Sequence, residues 1–227
     1  MESQDILSMF EKYFPFWNLL SDSDRALMLD NTRSVSFAKG TNVHNGNECS
    51  GVILVKQGCL RLYLLSDDGK DITLYRLFPG DICMLSASCV IRAITFDVFV
   101  DTEENSECVI INGPAFSSLS EKYAEVKIYA LEVAVSRFSD VMWVMQQILF
   151  MSFDRRLAVF LLDETAKNGS DTVKLTHEQI AKYMGSAREV VSRMLKYFVS
   201  EGIVETSRGT GIKILDKKRL RSLASEH

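Results

Sequence analysis

The chain has 227 residues, 47% of them hydrophobic and 25% charged, with three prolines and a mean hydropathy near zero. That length supplies one to two domains with a sizeable core, and the composition excludes a disordered, collagenous or membrane-spanning protein. The net charge of −4 hides an asymmetry, because residues 171–227 carry about +4 and the preceding part about −8. A basic end on an acidic body is the distribution expected where that end approaches a polyanion. No apolar run reaches the roughly 18 residues of a spanning helix, and the polar, acidic start Glu2-Ser3-Gln4-Asp5 is unlike an export signal. The expected compartment is the cytoplasm, with no membrane partner. The five cysteines, at positions 49, 59, 83, 89 and 108, are odd in number and scattered, so free thiols are expected.

In chain order, the first 30 residues read as helical, with Ile6, Phe10 and Phe14 at helical spacing and a break at Pro15. From Val35 to about Ile111 the texture changes to short β-rich runs punctuated by turns. The runs include Val52-Ile53-Leu54-Val55, Leu60-Arg61-Leu62-Tyr63 and Ile72-Thr73-Leu74-Tyr75, with Gly40, Asn45-Gly46, Gln57-Gly58, Asp68-Gly69 and Pro79-Gly80 as turns. This spacing predicts an antiparallel β-roll, with a hairpin at Asp68-Gly69.

From about Ala115 to Lys167 the period is helical, without Gly or Pro. Val126, Ala130, Val133, Val141, Val144, Ile148 and Met151 fall on steps of three and four if Arg137 fills one polar position. Two such stripes would zip into a coiled-coil-like dimer, and the alternative is that the stripe packs on its own β-domain. Ser152-Phe153-Asp154 offers N-cap types, which divides the long helix there.

The segment from Leu175 to Leu195 carries the function. Thr176 with Gln179 and Ser186 with Glu189 each have capping-box spacing, and Gly185 stands between them where the chain must turn. Ile180, Ala181 and Met184 line one face of the first helix, and Val191, Leu195 and Phe198 one face of the second. Two short helices around a glycine turn make a helix-turn-helix. Ile203-Val204-Glu205 and Ile212-Lys213-Ile214 then flank Arg208-Gly209-Thr210-Gly211 as a small hairpin wing. The opposite face of the second helix presents Arg188, Glu189, Ser192, Arg193 and Lys196. Arg suits the O6 and N7 acceptors of guanine, and Glu accepts from the amino group of cytosine. The competing role for this face is an ordinary salt-bridged surface, with Glu189 and Arg193 paired at i,i+4.

The whole chain resembles the Crp/Fnr superfamily of bacterial transcription regulators. The likeness rests on Phe37-Ala38-Lys39-Gly40, Asn45-Gly46, Val55-Lys56-Gln57-Gly58 and Pro79-Gly80-Asp81 in the roll, and on Leu175 to Leu195 with the Gly-containing wing. The resemblance implies an α+β protein with an N-terminal antiparallel β-roll of the cyclic-nucleotide-binding-like jelly-roll kind over residues 1–118. A long central dimerisation helix over 119–152 and a C-terminal winged helix-turn-helix over 153–227 follow. It further implies a homodimer on an inverted-repeat operator in double-stranded DNA, with RNA polymerase as a partner, and a sensor domain that sets the angle between two recognition helices. Arg188, Glu189 and Arg193 match the base readers of the cyclic-AMP-receptor branch. Glu189, Ser192 and Arg193 match those of the fumarate-nitrate-reductase-regulator branch. Thr176, Gln179, Ser186, Lys196 and Arg208 complete the expected DNA-binding set, and Val126, Ala130, Val133, Val141, Val144 and Ile148 the expected dimer interface.

The effector is less defined. Cyclic AMP is not expected, because Gly80-Asp81 is followed by Ile82-Cys83-Met84-Leu85 and the ribose-binding Glu of that branch has no counterpart. Arg92 is either a lone anion partner or a surface arginine. No cysteine precedes Cys49, so the N-terminal iron-sulfur cluster of the other branch is absent in its usual form. Cys83 and Cys89 admit a thiol or metal role, with Cys49, Cys59 or Cys108 as partners, or are small buried hydrophobes without C-x-x-C spacing. His44, in an Asn-Gly turn, reads as a solvated loop residue rather than a haem ligand. A metal-dependent cupin-like enzyme with an accessory C-terminal domain is the alternative function. It needs clustered histidines, and residues 1–170 hold a single one.

Overall fold

The structure, a computed structural model, describes residues 2–46, 49–67, 69, 71–87, 90, 96–207 and 211–225, with the side chains of Glu2 and Ser3 left aside. The chain forms two compact units, one of residues 1–70 and 74–141, the other of 71–73 and 142–227.

In the first unit, helix α1 (Glu2–Tyr13), a short 3-10 turn (Trp17–Leu19) and α2 (Asp22–Asp30) lead into eight strands, of which the fifth has its first three residues in the second unit. These are β1 (Thr32–Phe37), β2 (Asn42–His44), β3 (Val52–Gln57), β4 (Leu60–Leu65), β5 (Asp71–Leu77), β6 (Ile82–Cys83), β7 (Phe99–Thr102) and β8 (Ser106–Ile111). They form two four-stranded sheets, ordered β1-β8-β3-β6 and β2-β7-β4-β5. Every pairing with a described register is antiparallel. β3 and β4, consecutive in the chain, belong to different sheets. Gly58 makes the crossing at φ +92°, and a Cβ there would stand 2.3 Å from Ser106 Oγ. The expected hairpin at Asp68-Gly69 involves Asp68, which lies outside the described residues.

Alternation along the strands feeds two cores, as a two-residue period requires. Ile53, Val55, Cys108 and Ile110 face the interior of the roll with Leu60, Leu62, Val98 and Val100. Val52, Leu54, Val109 and Ile111 face the helices, where Phe10, Phe14, Phe16, Trp17 and Phe116 are buried. Phe14 meets Phe10 edge-on at 5.2 Å and Tyr129 at 5.7 Å.

The helical stretch after β8 is two helices before Ser152, α3 (Gly113–Lys122) and α4 (Ala124–Phe150). Asn112 caps α3 by accepting from the Ala115 amide at 3.1 Å, and Tyr123 is extended between the helices. Two inward residues of α4 correct the expected dimer stripe. Val126 and Ala130 are 0% and 2% exposed within the first unit's own core, and Val133 and Val141 pack against it. Arg137, the polar interruption of that stripe, reaches Asp81 at 2.9 Å and lies over the Tyr75 ring. The stripe therefore packs on its own roll as far as Val141; Val144 is part-buried and Ile148 exposed. A different seam faces outward. Ile128, Leu131, Val135, Phe138, Met142, Met145 and Leu149 alternate steps of three and four and are 44–64% exposed.

The second unit comprises α5 (Phe153–Asn168), β9 (Thr172–Val173), α6 (His177–Met184), α7 (Arg188–Ser200), β10 (Val204–Ser207), β11 (Gly211–Ile214) and α8 (Lys217–Ser225). Ser152 is the N-cap residue of α5, as expected, though its side chain makes no cap bond. The wing is a three-stranded sheet, β10-β11-β9, because β9 adds to the hairpin. Leu157, Leu161, Ile180, Val191, Leu195, Phe198, Ile212 and Leu220 are buried in one core. Among the described residues no helix is long and apolar enough to cross a membrane.

Candidate nucleic-acid interface

The helix-turn-helix is assembled by its termini. Thr176 Oγ accepts from the Gln179 amide at 3.1 Å, and Gln179 Oε1 accepts from the Thr176 amide at 2.9 Å. This reciprocal box satisfies two donors that a helix start leaves without partners. At the other end Gly185 is left-handed (φ +56°), and the Ser186 amide closes back onto the Ala181 carbonyl at 2.9 Å. The second box, Ser186 with Glu189, does not form. Ser186 is committed to ending α6, so the N-cap of α7 falls on Ala187, which makes no side-chain cap bond.

The register of α7 nevertheless puts Arg188 and Glu189 in its first turn and Arg193 in the second. Val191, Leu195 and Phe198 are buried, whereas Arg188, Glu189, Arg193 and Lys196 are exposed and Ser192 half-buried. Among the described residues none of those four charged side chains takes part in an ion pair. The i,i+4 contact between Glu189 and Arg193 is thus not made, and both heads are available to a ligand. His177, at the start of α6, has its pKa lowered by burial and then by the Arg188 charge. Thr176 is exposed, and Gln179 and Ser186 half-buried, at the ends of α6. Arg208 lies outside the described residues. Helix α8, which no motif announced, has Lys217 paired with Asp171 at 2.5 Å and Arg219 paired with Glu201.

Of the expected effector residues, the structure describes Cys83. Arg92 and Cys89 lie outside the described residues. Cys83 is fully buried on β6, and burial pushes its thiol pKa up. Burial also pushes Cys59 and Cys108 up to about 12. These three thiols are buried and unreactive in character, because the thiolate is the reactive form. The expectation of five free thiols fails at Cys49, which is disulfide-bonded; Cys59, Cys83 and Cys108 are free, so none of them is its partner. Scattered spacing in sequence does not limit which cysteines a roll brings together. His44 also departs from expectation. It is 4% exposed at the end of β2, with Nδ1 2.8 Å from Ser50 Oγ, because the inward side of the strand, not the adjacent turn, sets its environment.

An antiparallel roll followed by a winged helix-turn-helix with an unpaired polar reading face defines a DNA-binding regulator. Residues 155–223 match the model of the Crp-like helix-turn-helix domain. A solved structure assigned to the crp/fnr family of transcriptional regulators, from Eubacterium rectale ATCC 33656, is 48% identical, covers 95% of this chain and 100% of that one, and superposes with a TM-score of 0.89. The chain belongs to the Crp/Fnr family. It is 25% identical over 212 residues to the transcriptional regulator flp of Lacticaseibacillus casei, spanning 92% of this chain and 95% of that protein. FixK2 from Bradyrhizobium japonicum, 18% identical over 86% of this chain and 98% of its own, shares the fold with a TM-score of 0.69. The protein is accordingly a Crp/Fnr-type transcription regulator, from a family whose members bind DNA and act as dimers. Nothing in these likenesses supports the cupin-like enzyme.

Proposed function

We propose that the chain forms a homodimer through the outward seam of α4 and reads an inverted-repeat operator in double-stranded DNA with α7. In this reading residues 1–118 sense a signal, 119–152 join the protomers and 153–227 bind DNA, in the cytoplasm and with RNA polymerase as the downstream partner. Arg193 contacts guanine, Glu189 accepts from a neighbouring base amino group, and Arg188 and Ser192 reach the flanking bases. Thr176, Gln179, Ser186, Lys196 and Arg208 hold phosphates. Val144 and Ile148 flank the dimer seam, whose alternating three-four steps are the spacing of knobs-into-holes packing.

The observation that carries this reading is the set of exposed, unpaired charges at the start of a helix whose other face is buried. A salt-bridged surface helix would have neutralised them. The experiment is a selection of preferred sites from random duplexes, followed by binding of variants across a salt series. Selected sites should be inverted repeats with half-site centres about 34–36 Å apart. Arg193→Ala should lose about 1–3 kcal/mol of discrimination per half-site, whereas Lys196→Ala should weaken all sequences alike and flatten the salt slope. Selected sites without two-fold symmetry, or an Arg193→Ala variant with full specificity, would overturn the assignment.

A further inference from the structure

Among the described residues β1, the outer strand of one sheet, and β2, the outer strand of the other, are not paired with each other. A pocket of about 670 Å³ lies there, inside the roughly 300–1,000 Å³ range of small-molecule sites. Its lining has an apolar part, Val35, Phe37, Val43 and Ile110, and a polar part that includes Asp30, Arg33, Ser50 and Asn112. The β1–β8 register explains this mixture. Arg33 is opposite Ile110 and Val35 opposite Cys108, and residues directly opposite share a face. Arg33 therefore stands on the same side of the sheet as the roll's interior residues. It is exposed, and among the described residues it takes part in no ion pair.

A guanidinium on that side of the sheet, at the pocket's exposed edge, in no ion pair among the described residues and bordered by valine, phenylalanine and isoleucine, is suited to a ligand that is anionic at one end and apolar at the other. The single Asp30 carboxylate in the same lining works against a second negative charge, which selects a monoanion over a phosphate dianion. We propose that this pocket is the effector site of the regulator and that it takes a small monocarboxylate with an aliphatic or aromatic body. Arg33 holds the carboxylate, and Val35, Phe37, Val43 and Ile110 receive the body. No residue of α4 lines the pocket, and β1, β2 and β8 all belong to the first unit.

The proposal rests on reading the roll as the sensor, so its test keeps ligand binding and DNA binding apart. Octanoate and benzoate, with inorganic phosphate and cyclic AMP as comparison probes, are titrated into the full-length protein while thermal stability and heat of binding are recorded. The carboxylates should raise the melting temperature in a concentration-dependent way and the other two should not. Arg33→Met should keep the unliganded melting temperature and weaken carboxylate binding at least tenfold, with Arg33→Lys between it and the native protein. Equal carboxylate affinity in Arg33→Met, stabilisation by phosphate alone, or no binding of either carboxylate would overturn it. Operator affinity is measured on the same samples. Carboxylate binding that depends on Arg33 but leaves operator affinity unchanged would retain the ligand site and remove its role as the effector site. Loss of operator binding by the unliganded native protein would instead count against the DNA-reading assignment.

Discussion

Arg156 of α5 donates from Nη1 to the Met184 carbonyl at 3.1 Å, tying the helix that opens the second unit to the last residue of α6. That carbonyl is one of the four that a helix end leaves without an intrahelical donor. The guanidinium also lies 5.4 Å from the centre of the Phe153 ring, and burial lowers its pKa. The turn between α6 and α7 is thus fixed from outside the motif as well as by Gly185.

Arg156→Ala should therefore destabilise the second unit by about 1–3 kcal/mol, the range for losing a charged hydrogen bond. Urea denaturation gives the value, and Arg156→Lys should recover part of it. A variant as stable as the native protein would show that Gly185 alone holds the turn.

At the turn itself, Gly185→Ala forces an L side chain into φ +56° and should cost about 1 kcal/mol. Thr176→Ala, which breaks the capping box at the other end of α6, should cost about the same. Both are read from chemical denaturation midpoints. The pair should be close to additive, because their contacts do not overlap.

The two faces of α4 give opposite phenotypes. Val135→Glu with Phe138→Glu places like charges on the outward seam and should yield folded monomers by light scattering. Val126→Glu buries a carboxylate in the first unit's core and should lower its melting temperature without producing a clean monomer. Dimers that survive the outward double substitution would move the interface elsewhere.

Acid stability of the first unit should have two limbs. Burial holds the His44 imidazole below its usual 6.5, against the opposing pull of Asp97. The unfolded chain then binds the proton at higher pH, so this contribution is complete above 6.5 and is lost as pH falls below it. Lys122, Ser21 and Tyr123 hold the Asp24 carboxyl down at about 2 from 3.8, so its contribution is complete above 3.8 and disappears towards 2. Melting temperature against pH should lose the first limb in His44→Gln and the second in Asp24→Asn.

The winged unit was legible because its signals are local: Thr176 with Gln179 caps a helix, Gly185 ends it, and Val191, Leu195 and Phe198 give the buried face. Ser186 misled by one residue, since its backbone amide closes α6 onto the Ala181 carbonyl and the N-cap of α7 falls on Ala187. The outward seam of α4 was not legible because α4 is apolar on two sides. Val126 and Ile128 follow the same three-four steps, and only the packing of α1, α3 and the roll decides which faces inward. Arg137 was the one sequence clue, a cation in an otherwise apolar stripe, and its partner Asp81 is 56 positions away. The burial of His44 and the pocket beside Arg33 depend on the pairing of distant strands, which periodicity does not report.

The place of β8 between β1 and β3 has a consequence for synthesis. β1 is complete early, yet its partner is the last strand of the roll, with Thr32 opposite Ile111. A nascent chain therefore holds an unpaired β1 and half a core until β8 has left the ribosome, while the winged unit folds from neighbours close in sequence. Halting translation anywhere before Ser106 would leave the first sheet without the strand that joins β1 to β3, and the resulting fragment would expose Val52, Leu54 and the aromatic cluster to aggregation rather than persist as a smaller roll.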